Sequence, residues 1–292
     1  MAEVGYDPEF LTVTVPLPVP PAAVAARELA FTHFTVLLQP DRRLAVVTGV
    51  NLDGAQLLDL DRGDDWHLDP RIPATEQAGP EVYADNDFDR GHLVRRRDPV
   101  WGSPATATQA NHDSFTYVNA APQAALFNQG PTLWAGLEDY LLDHARTYRQ
   151  RLSVYTAPVL AVDDPTYRDM QIPRRYWKIA AWTTPTSTDT DTEGQTLAAT
   201  GYVLDQTELL PPILQADRRS LEPGEPPPLG AYRTFQVPLV DIATLTELNL
   251  EPLLAADLLG AAPSVPAAAL LAGARFVETR WRQLRQFADQ QL

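Results

Sequence analysis

Hydrophobic residues recur along this chain with two periods, and each period predicts a different element. Alternating runs at Phe31-Thr-His-Phe-Thr-Val-Leu-Leu38 and Arg43-Leu-Ala-Val-Val-Thr-Gly-Val50, joined by the turn Gln39-Pro-Asp41, predict two strands of a hairpin. Strand-like runs resume at Leu152–Ala157, Tyr176–Trp182 and Leu197–Leu204, the last two flanking a polar Thr/Asp loop as a long hairpin would. Phe235-Gln-Val-Pro-Leu-Val240 reads as one more short strand. A helical period governs Leu133 to Arg151, where Trp134, Leu137, Leu141, Leu142 and Ala145 fall close to every 3.6 residues. Pro122 to Ala125 predicts the opening of a short helix, and Phe276 to Leu292 an amphipathic terminal helix with Val277, Trp281, Leu284 and Phe287 on one face. Residues 1–24 predict an extended, proline-rich arm, and residues 205–232, which hold Pro211-Pro212 and Glu222-Pro-Gly-Glu-Pro-Pro-Pro228, an irregular surface crossing. No stretch reads as a clean linker, and no repeat period is present. The expectation is therefore a single domain over 25–292 of the α+β class, a mainly antiparallel sheet core with helices on its faces.

Composition narrows the chemistry. The chain has 292 residues, 45% of them hydrophobic, enough to bury a full core, and it has no cysteine. Disulfides, thiolate zinc sites and cysteine nucleophiles are thereby excluded. Met1-Ala-Glu-Val-Gly-Tyr-Asp7 lacks the basic start of a signal peptide, so a cytoplasmic location is the default expectation, with delivery into another cell also compatible. The most apolar later stretch, about 253–277, is broken by Asp257, Pro263, Pro266 and Arg275, so no membrane partner is expected.

The formal net charge of −15 argues against broad adhesion to nucleic acid. Its distribution matters more than its sum. Acids gather at 57–65 and 188–193, whereas Arg90, Arg95, Arg96 and Arg97 stand close together, which leaves room for a local basic cleft on an acidic body. Lys178 is the sole lysine; with Ala and Pro so abundant, the arginine bias reads first as genome composition.

Neither a GxxxxGK[ST] loop, a strand-linked GxGxxG nor an HExxH is present. His112-Asp113-Ser114 are consecutive, which is not how a nucleophilic triad is assembled. Asp89-Arg90-Gly91-His92 is different, because its residue types suit phosphodiester hydrolysis. A neutral imidazole takes a proton from water, a guanidinium stabilises charge on phosphorus oxygens, and glycine permits close backbone approach. Downstream follow Phe115-Thr-Tyr-Val-Asn119-Ala-Ala-Pro122-Gln123, Phe127-Asn128-Gln129-Gly130 and Leu133-Trp134-Ala-Gly-Leu137-Glu138, which supply amide oxygens and a carboxylate. Such oxygen-rich, partly hydrated coordination is what Mg²⁺ prefers.

In this order the motifs resemble those of the DNA/RNA non-specific endonuclease family, with its ββα-metal active site. The resemblance runs from about Phe31 to Leu259, including Ile172-Pro-Arg-Arg-Tyr-Trp-Lys178 and Phe235-Gln-Val-Pro238. It implies His92 as general base, Asn128 as direct metal ligand and Arg90 near the scissile phosphate. It also implies Glu138 orienting water on the metal, Asn119 in support, and Asp89 and Gly91 shaping the motif. Arg95, Arg96 and Arg97 are candidates to extend a phosphate track. Secreted members use a further arginine upstream, for which Arg62 and Arg71 are the nearest candidates. Implied with these are one Mg²⁺, with Mn²⁺ a second candidate, DNA and RNA as substrates, and 5′-phosphate products. An inhibitor or regulatory protein is a reasonable partner for an intracellular nuclease, and a homodimer is among the open oligomeric states. Two other readings stay open: an inactive nucleic-acid-binding protein on a nuclease scaffold, and a metal-dependent phosphodiesterase of small nucleotides.

Overall fold

Alternating strands of the chain assemble into an eight-stranded sheet in which every neighbouring pair is antiparallel. The computed structural model describes residues 5–61, 63–125, 134–186, 194–216, 233–260 and 281–284. Its strands are β1 (Arg27–Phe31), β2 (Phe34–Gln39), β3 (Leu44–Asp53), β4 (Phe88–His92), β5 (Ala120–Ala124), β6 (Arg151–Val159), β7 (Thr166–Tyr167), β8 (Met170–Gln171), β9 (Arg175–Thr186), β10 (Gly194–Asp205), β11 (Arg233–Val237) and β12 (Arg282–Leu284). Its helices are α1 (Pro80–Tyr83), α2 (Pro104–Ser114), α3 (Trp134–Tyr148), α4 (Leu210–Ala216) and α5 (Leu239–Thr246). The main sheet runs β1-β2-β3-β6-β9-β10-β11-β12, while β4-β5 and β7-β8 form separate ribbons. The protein is thus α+β with a mainly antiparallel core. No helix among the described residues is long and apolar enough to cross a membrane.

Because side chains alternate across a strand, each central strand feeds two cores. Tyr176 and Ala180 of β9 join Leu152 and Val154 of β6 on one face, where Phe88, Val118, Leu141, Leu142 and Ala145 cover them. Trp177, Ile179 and Ala181 join Tyr155 and Ala157 on the other, under Phe10, Leu11, Val15, Leu239 and Ile242. The first face carries the candidate site. Helix α3 lies tight against the end of β3 there, for a Cβ on Gly54 would come 2.0 Å from the Ala145 carbonyl oxygen.

The expected arm is part of the second core. Tyr6 and Tyr155 share a hydroxyl hydrogen bond at 2.6 Å, and Val19 pairs with Asn249 through two backbone hydrogen bonds of 3.0 and 2.9 Å.

Several local expectations need correcting. The run 31–38 is two strands, because the chain reverses at Thr32-His33. His33 has φ of 65°, with its ring stacked on Trp101 at 3.5 Å and its Nδ1 2.8 Å from the Pro99 carbonyl oxygen. Residues 120–124, expected in part to open a helix, form β5, since β4 supplies a full antiparallel partner. The strand expected over 235–240 stops at Val237; Pro238 caps α5, to which Leu239 and Val240 belong. The crossing at 205–232 contains α4, whose Pro211 and Pro212 sit in its first turn, where proline's missing N–H is harmless. Within the predicted terminal helix, Arg282–Leu284 instead form β12 on β11, and residues 276–280 and 285–292 lie outside the described ones. Helix α2 has no counterpart among the expected elements, although Ser103 accepts from Thr106 N as its N-cap and Pro104 opens it.

Candidate active site

Strands β4 and β5 set Asp89 opposite Gln123, Arg90 opposite Pro122, Gly91 opposite Ala121 and His92 opposite Ala120. The ribbon is fastened to the main sheet. The Tyr176 hydroxyl donates to the Pro122 carbonyl at 2.5 Å, and Gln206 Oε1 accepts from Ala124 N at 2.9 Å while its Nε2 donates to Pro173 O at 2.7 Å. Alternation sends Arg90 and His92 to one face of β4, and Asp89 and Gly91 to the other. On that second face no side chain fits at Gly91: an added Cβ would lie 2.1 Å from Gln123 Cδ. The Gln123 amide is fully buried there, and among the described residues neither its oxygen nor its nitrogen has a hydrogen-bond partner.

His92 is half-buried against Trp66, at 4.6 Å between ring centroids, and meets Phe115 edge-on at 5.2 Å. The same indole lies 5.2 Å from the Arg90 guanidinium, so one side chain touches both motif groups. Trp66 is held in place by its neighbour, since His67 N donates to Phe115 O at 3.1 Å and Tyr117 N donates to His67 O at 2.9 Å. Trp66 belongs to none of the motifs; the signal that marks it in the sequence is its standing as a lone large aromatic inside the acidic loop.

Asn119 is fully buried, and its amide is engaged by backbone just beyond His92. Its Oδ1 accepts from Val94 N at 2.8 Å, while its Nδ2 donates to Val94 O at 2.9 Å and Ser114 O at 3.0 Å. Asn128 lies outside the described residues, as does Arg62.

Glu138, in the second turn of α3, is bracketed by two cations. Its Oε1 accepts from Lys178 Nζ at 2.9 Å, and its Oε2 lies 3.7 Å from Arg95 Nε. Arg95 also pairs with Asp139. Burial would lower the Arg95 pKa, but the charges of Glu138, Asp98 and Asp139 raise it above the usual arginine value. Burial pushes the Asp98 carboxyl up to about 6, against the opposing pull of Arg95 and Lys178. Between about pH 4 and 6 the folded chain therefore holds a proton that the unfolded chain has lost, and stability falls as pH rises through that window. The effect is of the order of 3 kcal/mol. Asp98→Asn is expected to flatten this slope in urea melts taken from pH 4 to 7; an unchanged slope would disprove the assignment.

The three consecutive arginines do not lie as an open phosphate track. Arg95 serves the acids just named, Arg96 donates to Leu60 O and Asn111 Oδ1 at 3.1 Å each, and Arg97 donates to Asp59 at 2.6 Å. Arg146 reaches the same Asp59 carboxylate at 2.8 Å, and Arg90 stands 3.7 Å from Asp64. Hydrogen bonds from Arg146 and Arg97 hold the Asp59 carboxyl below the usual carboxylate range. The acidic segment thus faces the very guanidiniums expected to meet phosphate. Exposed pairs of this kind are weak and salt-sensitive, and a polyanion would compete for the same guanidiniums. Asp59→Asn is expected to tighten binding of a labelled duplex by about two- to fivefold at low salt, the difference vanishing near 0.3 M. Equal anisotropy curves at low salt would refute this. Arg71, the other upstream candidate, is committed to the fold through a bidentate pair with Asp69 and a 2.9 Å bond to Ala30 O.

The ribbon that bears Arg90, Gly91 and His92, with a helix carrying Glu138 later in the chain, is the order of elements that the resemblance to the ββα nucleases implies. The chain belongs to the DNA/RNA non-specific endonuclease family, whose model matches residues 18–257. It is 39% identical over 263 residues to the uncharacterized protein y4fB of Sinorhizobium fredii (strain NBRC 101917 / NGR234), covering 82% of this chain but 37% of that relative, so it spans little more than a third of the relative's length. Among solved structures, a chain of the EndoG/EndoGI complex superposes with a TM-score of 0.52 at 17% identity, over 76% of this chain and 84% of that one. At that identity the likeness establishes the fold.

Proposed function

We propose that this chain hydrolyses internal phosphodiester bonds of DNA and RNA without reading sequence, with His92 as general base. The supporting observation is that Arg90 and His92 leave one face of β4, with Trp66 against both, on a ribbon whose chain leads on to Glu138. The His92 imidazole takes a proton from the attacking water, and Arg90 stabilises charge gathering on the phosphorus oxygens. Asn119 keeps the backbone after His92 in place. Each of these groups addresses water, phosphate or backbone and none a base edge, which accounts for the absence of a sequence code.

The donor set suits a hard cation. Amide and carboxylate oxygens such as those of Asn128 and Glu138, together with water, are the donors that Mg²⁺ accepts. Lys178 occupies one lone pair of Glu138 Oε1, which leaves the carboxylate able to accept from water. Asn128 would hold the ion directly and Glu138 through water. Bound there, Mg²⁺ or Mn²⁺ supplies Lewis-acid stabilisation of the leaving 3′ oxygen, consistent with 5′-phosphate products.

The test is degradation of plasmid DNA and of RNA by purified protein with Mg²⁺ or Mn²⁺, abolished by chelator. Intact polymers after incubation of folded protein with metal would defeat the proposal. The presence of His92, Asn128 and Glu138 together weighs against an inactive scaffold. The neighbouring solved structure is of EndoG held in an inhibited complex with EndoGI; by analogy we include an inhibitor among the proposed partners of this chain.

A further inference from the structure

We propose that Lys178 is a positioning residue of the nuclease centre, fixing the Glu138 carboxylate in the orientation the reaction needs; this rests on the role given to Glu138 above. Lys178 is 1% exposed in the middle of β9, between β6 and β10, opposite Thr156 and Tyr202. Its neighbours on the same face, Tyr176 and Ala180, belong to the core beneath the ββα unit. An ammonium at such a point is a poor choice for stability alone, because a buried ion pair commonly does no better than a packed apolar residue of the same volume. Its position accords with a task at the site. Nζ donates to one oxygen of Glu138 at 2.9 Å, while Arg95, from the loop after β4, approaches the other at 3.7 Å.

Cations from two separate elements therefore flank the two carboxylate oxygens. α3 alone would leave the glutamate its rotamers; contact with a central strand removes them, which is how a supporting shell sharpens a site.

The test compares Lys178→Met, Lys178→Arg, Glu138→Gln and the Lys178→Met/Glu138→Gln double variant by kcat and KM on DNA, with folding checked by circular dichroism. Because the chain has a single lysine, selective ¹⁵N-lysine labelling gives one side-chain NMR signal, which is followed during Mg²⁺ titration without substrate. Lys178→Met is expected to lower kcat by about 10- to 100-fold with KM within about twofold. Lys178→Arg should recover part of the rate, and the double variant should be no slower than Glu138→Gln. The lysine signal should move with Mg²⁺, and Glu138→Gln should abolish that response. A parental kcat in Lys178→Met, or losses that multiply in the double variant, would overturn the inference while leaving Glu138 in its role. A parental kcat in Glu138→Gln would instead overturn the reading of Glu138 and this inference with it. Should Lys178→Met fail to fold, the NMR titration decides, and a lysine signal indifferent to both Mg²⁺ and Glu138→Gln overturns the proposal.

Discussion

His92→Ala is expected to lower kcat on plasmid DNA by about 10³-fold or more, the scale on which a general base contributes. KM should stay within a few-fold, because Arg90, the group proposed to meet the phosphate, remains. The fold should tolerate the change: the ring is half-buried and packs on Trp66 and Phe115, so its loss opens space between two aromatic side chains. A stability loss of about 1–2 kcal/mol follows from that lost packing. Measuring kcat beside a thermal melt separates the two effects. A folded variant that cuts at the parental rate would remove His92 from the role of base.

The second large effect is at Asn119, and it should appear in stability before rate. Alanine there strands Val94 N, Val94 O and Ser114 O, all of which the side chain now satisfies. Unsatisfied buried groups cost about 1–3 kcal/mol each, so a total near 3–5 kcal/mol is expected for Asn119→Ala. That is a large share of the roughly 5–15 kcal/mol that holds a domain together. Urea unfolding should show the midpoint falling sharply with the slope unchanged. The residual folded fraction should also turn over more slowly, since the braced segment begins two residues after His92. A midpoint close to the parent's would mean that water or a rearranged loop replaces the amide with little loss.

What was legible in the sequence was whatever had a local cause. The 3.6-residue recurrence of Leu137, Leu141, Leu142 and Ala145 marked α3, and two β-rich runs around a polar loop marked the β9–β10 hairpin. The motif was legible because the residue types in Asp89-Arg90-Gly91-His92 suit phosphodiester hydrolysis, and the clash of a Cβ at position 91 with Gln123 gives the glycine a steric reason. What escaped depends on distant partners. Nothing local in Thr32-His33 announces a reversal; Asp113 and Trp101 impose it, with Thr32 N and Oγ1 donating to Asp113 at 2.9 and 2.8 Å. Lys178 was noted in the sequence only as the sole lysine; its pairing with Glu138 stayed hidden because the carboxylate comes from another element. The three-arginine run looked like a phosphate track because sequence shows charge and not pairing. Short apolar segments stayed ambiguous between helix and strand, as at residues 122–124 and 282–284.

The burial of Lys178 has a consequence for the exterior. With the chain's single lysine 1% exposed, no lysine ammonium is offered to solvent. Acetylation and isopeptide tagging of lysine find no accessible target on these residues, and amine-directed crosslinkers will not capture a complex through lysines of this chain. A bound partner would have to be trapped through carboxylates or guanidiniums instead.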